Sequence, residues 1–146
     1  MKTVFKVFLL SLLFVGCKQK ITPQDVSKLN GYWEIEKVEI SDGDDKDYKI
    51  NEHFDYFEIK DNQGFRKKVQ PQLDGTFIVN DTQEDVKIRF EKDQVFVDYS
   101  TDFAKWTEEL LTITETEMVV KNADDKEYHY KKTGPINITG NGKKTE

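Results

Sequence analysis

Cysteine is nearly missing from this chain: among 146 residues there is one, Cys17, and there are only two histidines and three prolines. A single thiol excludes an intramolecular disulfide outright. Long apolar runs are equally scarce. The longest covers residues 4–15 and is interrupted by Lys6 and Ser11, whereas a helix crossing a bilayer needs roughly 20 apolar residues. Positive charge is also in deficit, since 22 Lys and Arg stand against 28 Asp and Glu. Setting aside residues 1–16, which carry Lys2 and Lys6 and no acid, leaves 20 − 28 = −8. A surface that acidic repels nucleic acid and anionic headgroups, whose binding rests largely on Lys and Arg neutralising phosphates. No nucleic-acid partner is expected.

The start of the chain has its own anatomy. Met1-Lys2-Thr3 is short and basic, the apolar stretch follows, the small Gly16 closes it, and polarity returns at Lys18-Gln19-Lys20. That is the layout of a secretory signal peptide over residues 1–16, with room for one domain behind it. The run Leu13-Phe14-Val15-Gly16-Cys17 resembles the lipobox of bacterial lipoproteins, with Phe14 where Leu is usual. The resemblance implies cleavage after Gly16, diacylglyceryl transfer to the Cys17 thiol and acylation of the new amino terminus. Several acyl chains anchor stably where one is marginal. Lys18, rather than an Asp resembling an inner-membrane retention signal, follows the cysteine. The expected place is therefore the cell envelope of a Gram-negative bacterium, at the outer membrane. The alternative, an ordinary signal peptide before a free cysteine, leaves an unpaired thiol in an oxidising compartment.

Residues 17–27 are polar and aperiodic and read as a tether. Residues 134–146 combine Gly, Pro and charge and read as a flexible tail. Between them, over 28–133, apolar residues recur with period two, the mark of strands with one buried face. Val86-Lys87-Ile88-Arg89-Phe90 and Val95-Phe96-Val97-Asp98-Tyr99 alternate on either side of a turn. Leu111 and Ile113 precede Met118-Val119-Val120, and Tyr128-His129-Tyr130 alternates again. Upstream, Phe54 to Ile59 and Phe65 to Val69 flank Asp61-Asn62-Gln63-Gly64, and Asp74-Gly75 opens Thr76-Phe77-Ile78-Val79. About nine candidate strands with frequent turns predict an all-β fold. No stretch has a convincing 3.6 period, although 25–30 and 101–105 can each form a helical turn. In the first strand Trp33 and Ile35 share one face while Val38 and Ile40 fall on the other. A β-bulge near Glu36-Lys37 would bring all four inward; the alternative is a strand crossing between two sheets.

The run Leu29-Asn30-Gly31-Tyr32-Trp33 resembles the Gly-x-Trp signature that opens the first strand of lipocalins and related calycin barrels. The resemblance extends over the domain through strand layout. It implies an antiparallel up-and-down β-barrel of about 8–10 strands, with Gly31 turning the backbone and Trp33 plugging the closed end. It also implies a basic residue packed over that Trp, for which Lys131 and Lys132 are the candidates.

Chemistry is sparse. His53 and His129 lack a second ligand at metal spacing, so no metal and no cofactor are expected. The acidic run Ser41-Asp42-Gly43-Asp44-Asp45-Lys46-Asp47 departs from an EF-hand loop at 46, 47 and 53. Ser27, Ser41 and Ser100 lie in no Gly-x-Ser-x-Gly turn, and carboxylates such as Glu58 and Asp98 alternate outward. No catalytic residue stands out, so an enzyme is not expected. The leading expectation is a membrane-anchored module whose cavity, lined by Ile35, Phe57, Ile59, Ile88, Val97, Tyr99, Tyr128 and Tyr130, takes a small hydrophobic ligand. Inward positions read as apolar, with acids outside and only tyrosine hydroxyls to orient a ligand. Trp106 stands where it can cap a strand or rim that pocket. The rival is a barrel filled by its own aromatics that serves the envelope as a structural or protein-interaction component; no protein partner can be named. Cys17→Ser should leave the precursor uncleaved by the lipoprotein peptidase or release a soluble product, read by membrane fractionation and intact mass.

Overall fold

The computed structural model describes residues 19–49 and 51–134. The leader with Gly16 and Cys17, and the tail from residue 135, lie outside the described residues. The strands are β1 (Gly31–Ile40), β2 (Lys46–Asp47), β3 (Phe54–Lys60), β4 (Gln63–Pro71), β5 (Phe77–Glu91), β6 (Gln94–Ser100), β7 (Lys105–Ile113), β8 (Glu117–Lys121) and β9 (Lys126–Thr133). Each pairs antiparallel with the next from β3 to β9, β1 pairs with β3, and β1 also pairs with β9. Eight strands thus close into an up-and-down barrel, and β2 is a two-residue addition to the upper part of β1. Closure removes the two edges an open sheet would expose.

The bulge falls where the side-chain pattern of β1 requires it. Ile35 faces Tyr130 and Lys37 faces His129, so Glu36 is the extra residue. Trp33 and Val38, on opposite sides of it, are both buried. A second bulge at Leu111, between Leu110↔Val120 and Thr112↔Val119, turns Leu110 and Ile113 inward. The simple alternation of Leu111 with Ile113 is corrected accordingly. Upstream, Phe77 to Val79 and Val86 to Phe90 are not separate strands but parts of the 15-residue β5. The turn between β3 and β4 is only Asp61 and Asn62, both at positive φ, as a tight two-residue hairpin prefers. Gln63 and Gly64 already belong to β4. At Gly64 a Cβ would lie 1.8 Å from the Glu58 carbonyl oxygen, so no other residue fits there.

The expected tether is corrected from Gln19 onward. The Gln19 side chain donates to the Ile113 carbonyl at 2.8 Å and accepts from the Ile113 N–H at 3.0 Å. A 3-10 helix follows at Pro23–Leu29, opened by a capping box between Thr22 and Asp25. A Lys28 hydrogen bond holds the Asp25 carboxyl down at about 2. Val26 and Leu29 are buried and close the lower end. The polar sequence hid this because two apolar residues three apart are all that a single helical turn buries.

Trp33 is fully buried, and its indole N–H donates to the Leu29 carbonyl at 2.7 Å. Lys132 is the basic residue over it: its Nζ lies 4.8 Å from the ring centroid and donates to the Lys28 carbonyl at 2.7 Å. Gly31, at φ +114, leaves that space free, since a Cβ there would come within 3.1 Å of Lys132 Cε. On the outer wall Tyr32 stacks on Phe77 with ring centroids 4.3 Å apart, and Phe77 also meets Phe54. The projecting part of the β4–β5 hairpin therefore packs across the outside of β1 and β3. Trp33→Ala should cost about 3 to 5 kcal/mol in urea unfolding, well above the roughly 0.5 kcal/mol of a surface change.

Candidate functional site

Strand alternation divides the interior into two levels. Toward the 3-10 helix, Leu29, Trp33, Phe57, Ile59, Ile88, Val95, Val97, Ile113 and Met118 form one packed apolar cluster. Four residues expected to line a cavity, Phe57, Ile59, Ile88 and Val97, are buried in it; they fill this end. Tyr99 is buried above them. Ile35, Tyr128 and Tyr130 point inward and stay partly accessible, as does Trp106. Trp106 stacks on Tyr99 at 5.3 Å. Inward side chains that remain accessible mean that the barrel is open to solvent at its other end, the end carrying the loops 41–45, 72–76, 101–104 and 122–125.

The reading of an apolar interior with acids outside is corrected at this level. Asp55, two residues before Phe57 on the same face of β3, is buried. It pairs with Lys68 at 2.8 Å. The buried Arg66 on β4 hydrogen-bonds to Glu84 on β5, and its guanidinium lies 4.2 Å from the Tyr99 ring centroid. Burial works against the Arg66 charge, but Tyr99 and Glu84 more than offset it and raise its pKa. Glu108 lies two residues before Leu110, on the same face of β7. Its Oε2 is buried without a partner. Burial pushes the Glu108 carboxyl up, against the opposing pull of Arg66 and Tyr99. Burial likewise pushes the Tyr99 and Tyr130 hydroxyls well up, so both are donors.

These charged residues were missed although a signal existed. Asp55 is in phase with Phe57 and Ile59, Glu84 with Val86 and Ile88, and Glu108 with Leu110. Three strands thus carry a carboxylate on their buried face, always toward the open end. Arg66 was hidden by Phe65-Arg66-Lys67, where the aromatic pointed to the other face as the inward one. In the fold Phe65 pairs opposite Glu58 and Arg66 opposite Phe57.

A concavity of about 810 Å³ runs over β4 to β7, lined by Asp85, Lys87, Asp98 and Lys105 and also by Val86, Tyr99 and Trp106. The charged residues alternate with the inward Val86, Tyr99 and Trp106, so the lining of this concavity draws on both faces of the sheet. Solvated charges border it, and no group there is buried and unpaired, so the open end of the barrel is the better site.

A family profile described as a lipocalin-like domain matches residues 29–120, from the end of the 3-10 helix into β8. No curated protein matches the chain. Two solved structures are similar to it. One is an uncharacterized protein from Bacteroides eggerthii, at 11% identity over 72% of this chain and 99% of that one, with a TM-score of 0.47. The other is a lipocalin-like protein from Bacteroides uniformis, at 11% identity over 73% and 99%, with a TM-score of 0.47.

The Glu108 shift fixes the sign of a pH effect. Unfolded, the group titrates near its ordinary 4.5. Above that pH and up to its higher folded value, the native state keeps a proton that the unfolded state has lost, so stability falls as pH rises. Stability of the wild type minus that of Glu108→Gln should therefore decrease from about pH 4 to about pH 8, measured by denaturant unfolding.

Proposed function

The chain belongs to the lipocalin-like domain family, and from that premise we propose that it is a lipid-anchored envelope protein that binds a small amphipathic ligand in the open end of its barrel. The observation that carries this reading is the accessibility of Ile35, Trp106, Tyr128 and Tyr130 although all four face inward. A self-filled barrel would bury them as it buries Phe57 and Val97. Apolar walls with a few convergent polar groups are what small-molecule sites generally use. Here the ligand's apolar part meets Ile35 and the aromatic rings, while its polar end meets the Glu108 carboxyl and the Tyr130 hydroxyl. The sealed lower half leaves no room for a long acyl chain laid along the whole axis, so the ligand is short or projects from the mouth.

The anchor agrees with this arrangement. Gln19 is held at Ile113, the lower end of β7, and Cys17 lies only two residues upstream, within roughly 7 Å of chain. A lipid on Cys17 would hold the closed end toward the membrane and turn the open end away from it, where a water-borne ligand arrives.

The two tryptophans make the test selective. An amphipathic polyene probe titrated into the protein should quench fluorescence saturably with a micromolar-range dissociation constant, about −8 kcal/mol. The quench should survive Trp33→Phe, because that ring is sealed in the core, and vanish in Trp106→Phe. Quenching that survives Trp106→Phe, or none at all, would sink the lumen reading in favour of the self-filled barrel.

A further inference from the structure

The geometry points to a divalent-cation site of the zinc class, formed by Glu39, Glu127 and His129 on the outer wall where β1 and β9 close. Glu39 and Glu127 are directly opposite each other across the two strands, and His129 follows Glu127 by two residues on the same face of β9. His129 Nε2 lies 3.6 Å from Glu39 Oε2 and 3.6 Å from Glu127 Oε2. All three ligand atoms fall within 4.8 Å of one another. Donors about 2.0–2.2 Å from a tetrahedral ion are separated from each other by roughly 3.3–3.6 Å. The imidazole nitrogen is therefore already at ligand spacing from both carboxylates.

A second observation is independent of that spacing. His129 Nε2 is shielded from solvent and has no hydrogen-bond partner, a state that costs free energy unless something occupies the lone pair or accepts the proton. Glu39 and Glu127 are like charges directly opposite on neighbouring strands, and although Lys37 already pairs with Glu39, a cation between the two carboxylates would relieve the repulsion that remains together with the cost at His129. The supporting contact is in place as well. Lys37 Nζ binds Glu39 Oε1 at 2.5 Å. The lysine thus holds Glu39 by one oxygen while the other faces His129. Such outer contacts orient metal ligands.

The donor set selects the ion. One imidazole nitrogen with two carboxylate oxygens suits Zn²⁺, whereas Mg²⁺ and Ca²⁺ prefer oxygen alone. Three protein ligands leave a fourth position for water. The site lies outside the barrel and stands or falls separately from ligand binding in the lumen.

Calorimetric titration of the full chain in detergent with Zn²⁺ alone should show one ion per chain with a dissociation constant on the order of micromolar. His129→Gln and Glu127→Gln should each weaken it at least about ten-fold, while His53→Gln, at an exposed histidine that is not one of the three ligands, should leave it unchanged. Millimolar-range Mg²⁺ should not displace the ion. A Zn²⁺-induced rise in Tm, present in the wild type and lost in His129→Gln, repeats the test on protein shown to be folded by its own transition. Absence of binding, or binding that His129→Gln leaves intact or that His53→Gln weakens equally, overturns the site.

Discussion

The pairing of β1 with β9 is the constraint on which the rest of this structure depends. β1 must serve two neighbours: its first residues pair with β3 and its length pairs with β9. A straight strand cannot do this and keep Trp33, Ile35, Val38 and Ile40 on one face, because a period of two reverses faces wherever the spacing is odd. The extra residue at Glu36 resolves the conflict and bends the strand around the barrel. Trp33 sits at that seam, bonded to the Leu29 carbonyl and covered by Lys132. The 3-10 helix, the first strand and the last strand are thereby tied at one point. Burial lowers the pKa of Lys132, a cost that its contacts with the ring and the Lys28 carbonyl offset.

Closure also creates the two levels of the interior. An eight-stranded barrel is just wide enough either to fill itself with side chains or to hold one small ligand, and this one does the first at its lower end. At the upper end it places Asp55, Arg66, Glu84 and Glu108 in the lumen. Buried ion pairs are weak evidence for stability, because desolvation rivals the attraction between partners. An apolar layer of the same volume would make a firmer core, so this polar layer is where the sequence departs from what folding alone favours. Such departures concentrate at functional sites. The oxygen of Glu108 that is buried without a partner among the described residues is the clearest case.

Much of this was legible in the order of residues. Alternation alone marks Val86 to Phe90 and Val95 to Tyr99 as a hairpin, and the out-of-phase apolar residues of β1 require a bulge close to where one occurs. The Gly31 and Trp33 pair marks the closed end through its resemblance to the Gly-x-Trp signature, with a glycine where the backbone turns into the strand. These features are local: periods, turns and steric demands acting within a few residues. The expected leader and its cysteine rest on sequence alone.

What the tertiary structure decided is everything that joins distant strands. Arg66 is inward because β4 registers it against Phe57 and Glu84, and no window of neighbouring residues contains that fact. Gln19 is docked because Ile113, 94 residues away, offers an N–H and a carbonyl at the lower rim. Glu39 meets Glu127 and His129 only because the first strand closes on the last, which brings together residues that metal-ligand spacing along the chain could never relate. Sequence determines which face each residue can take and where the chain can turn. Register across a closed barrel determines which faces meet, since that depends on the summed stagger of all eight strands and not on any one of them.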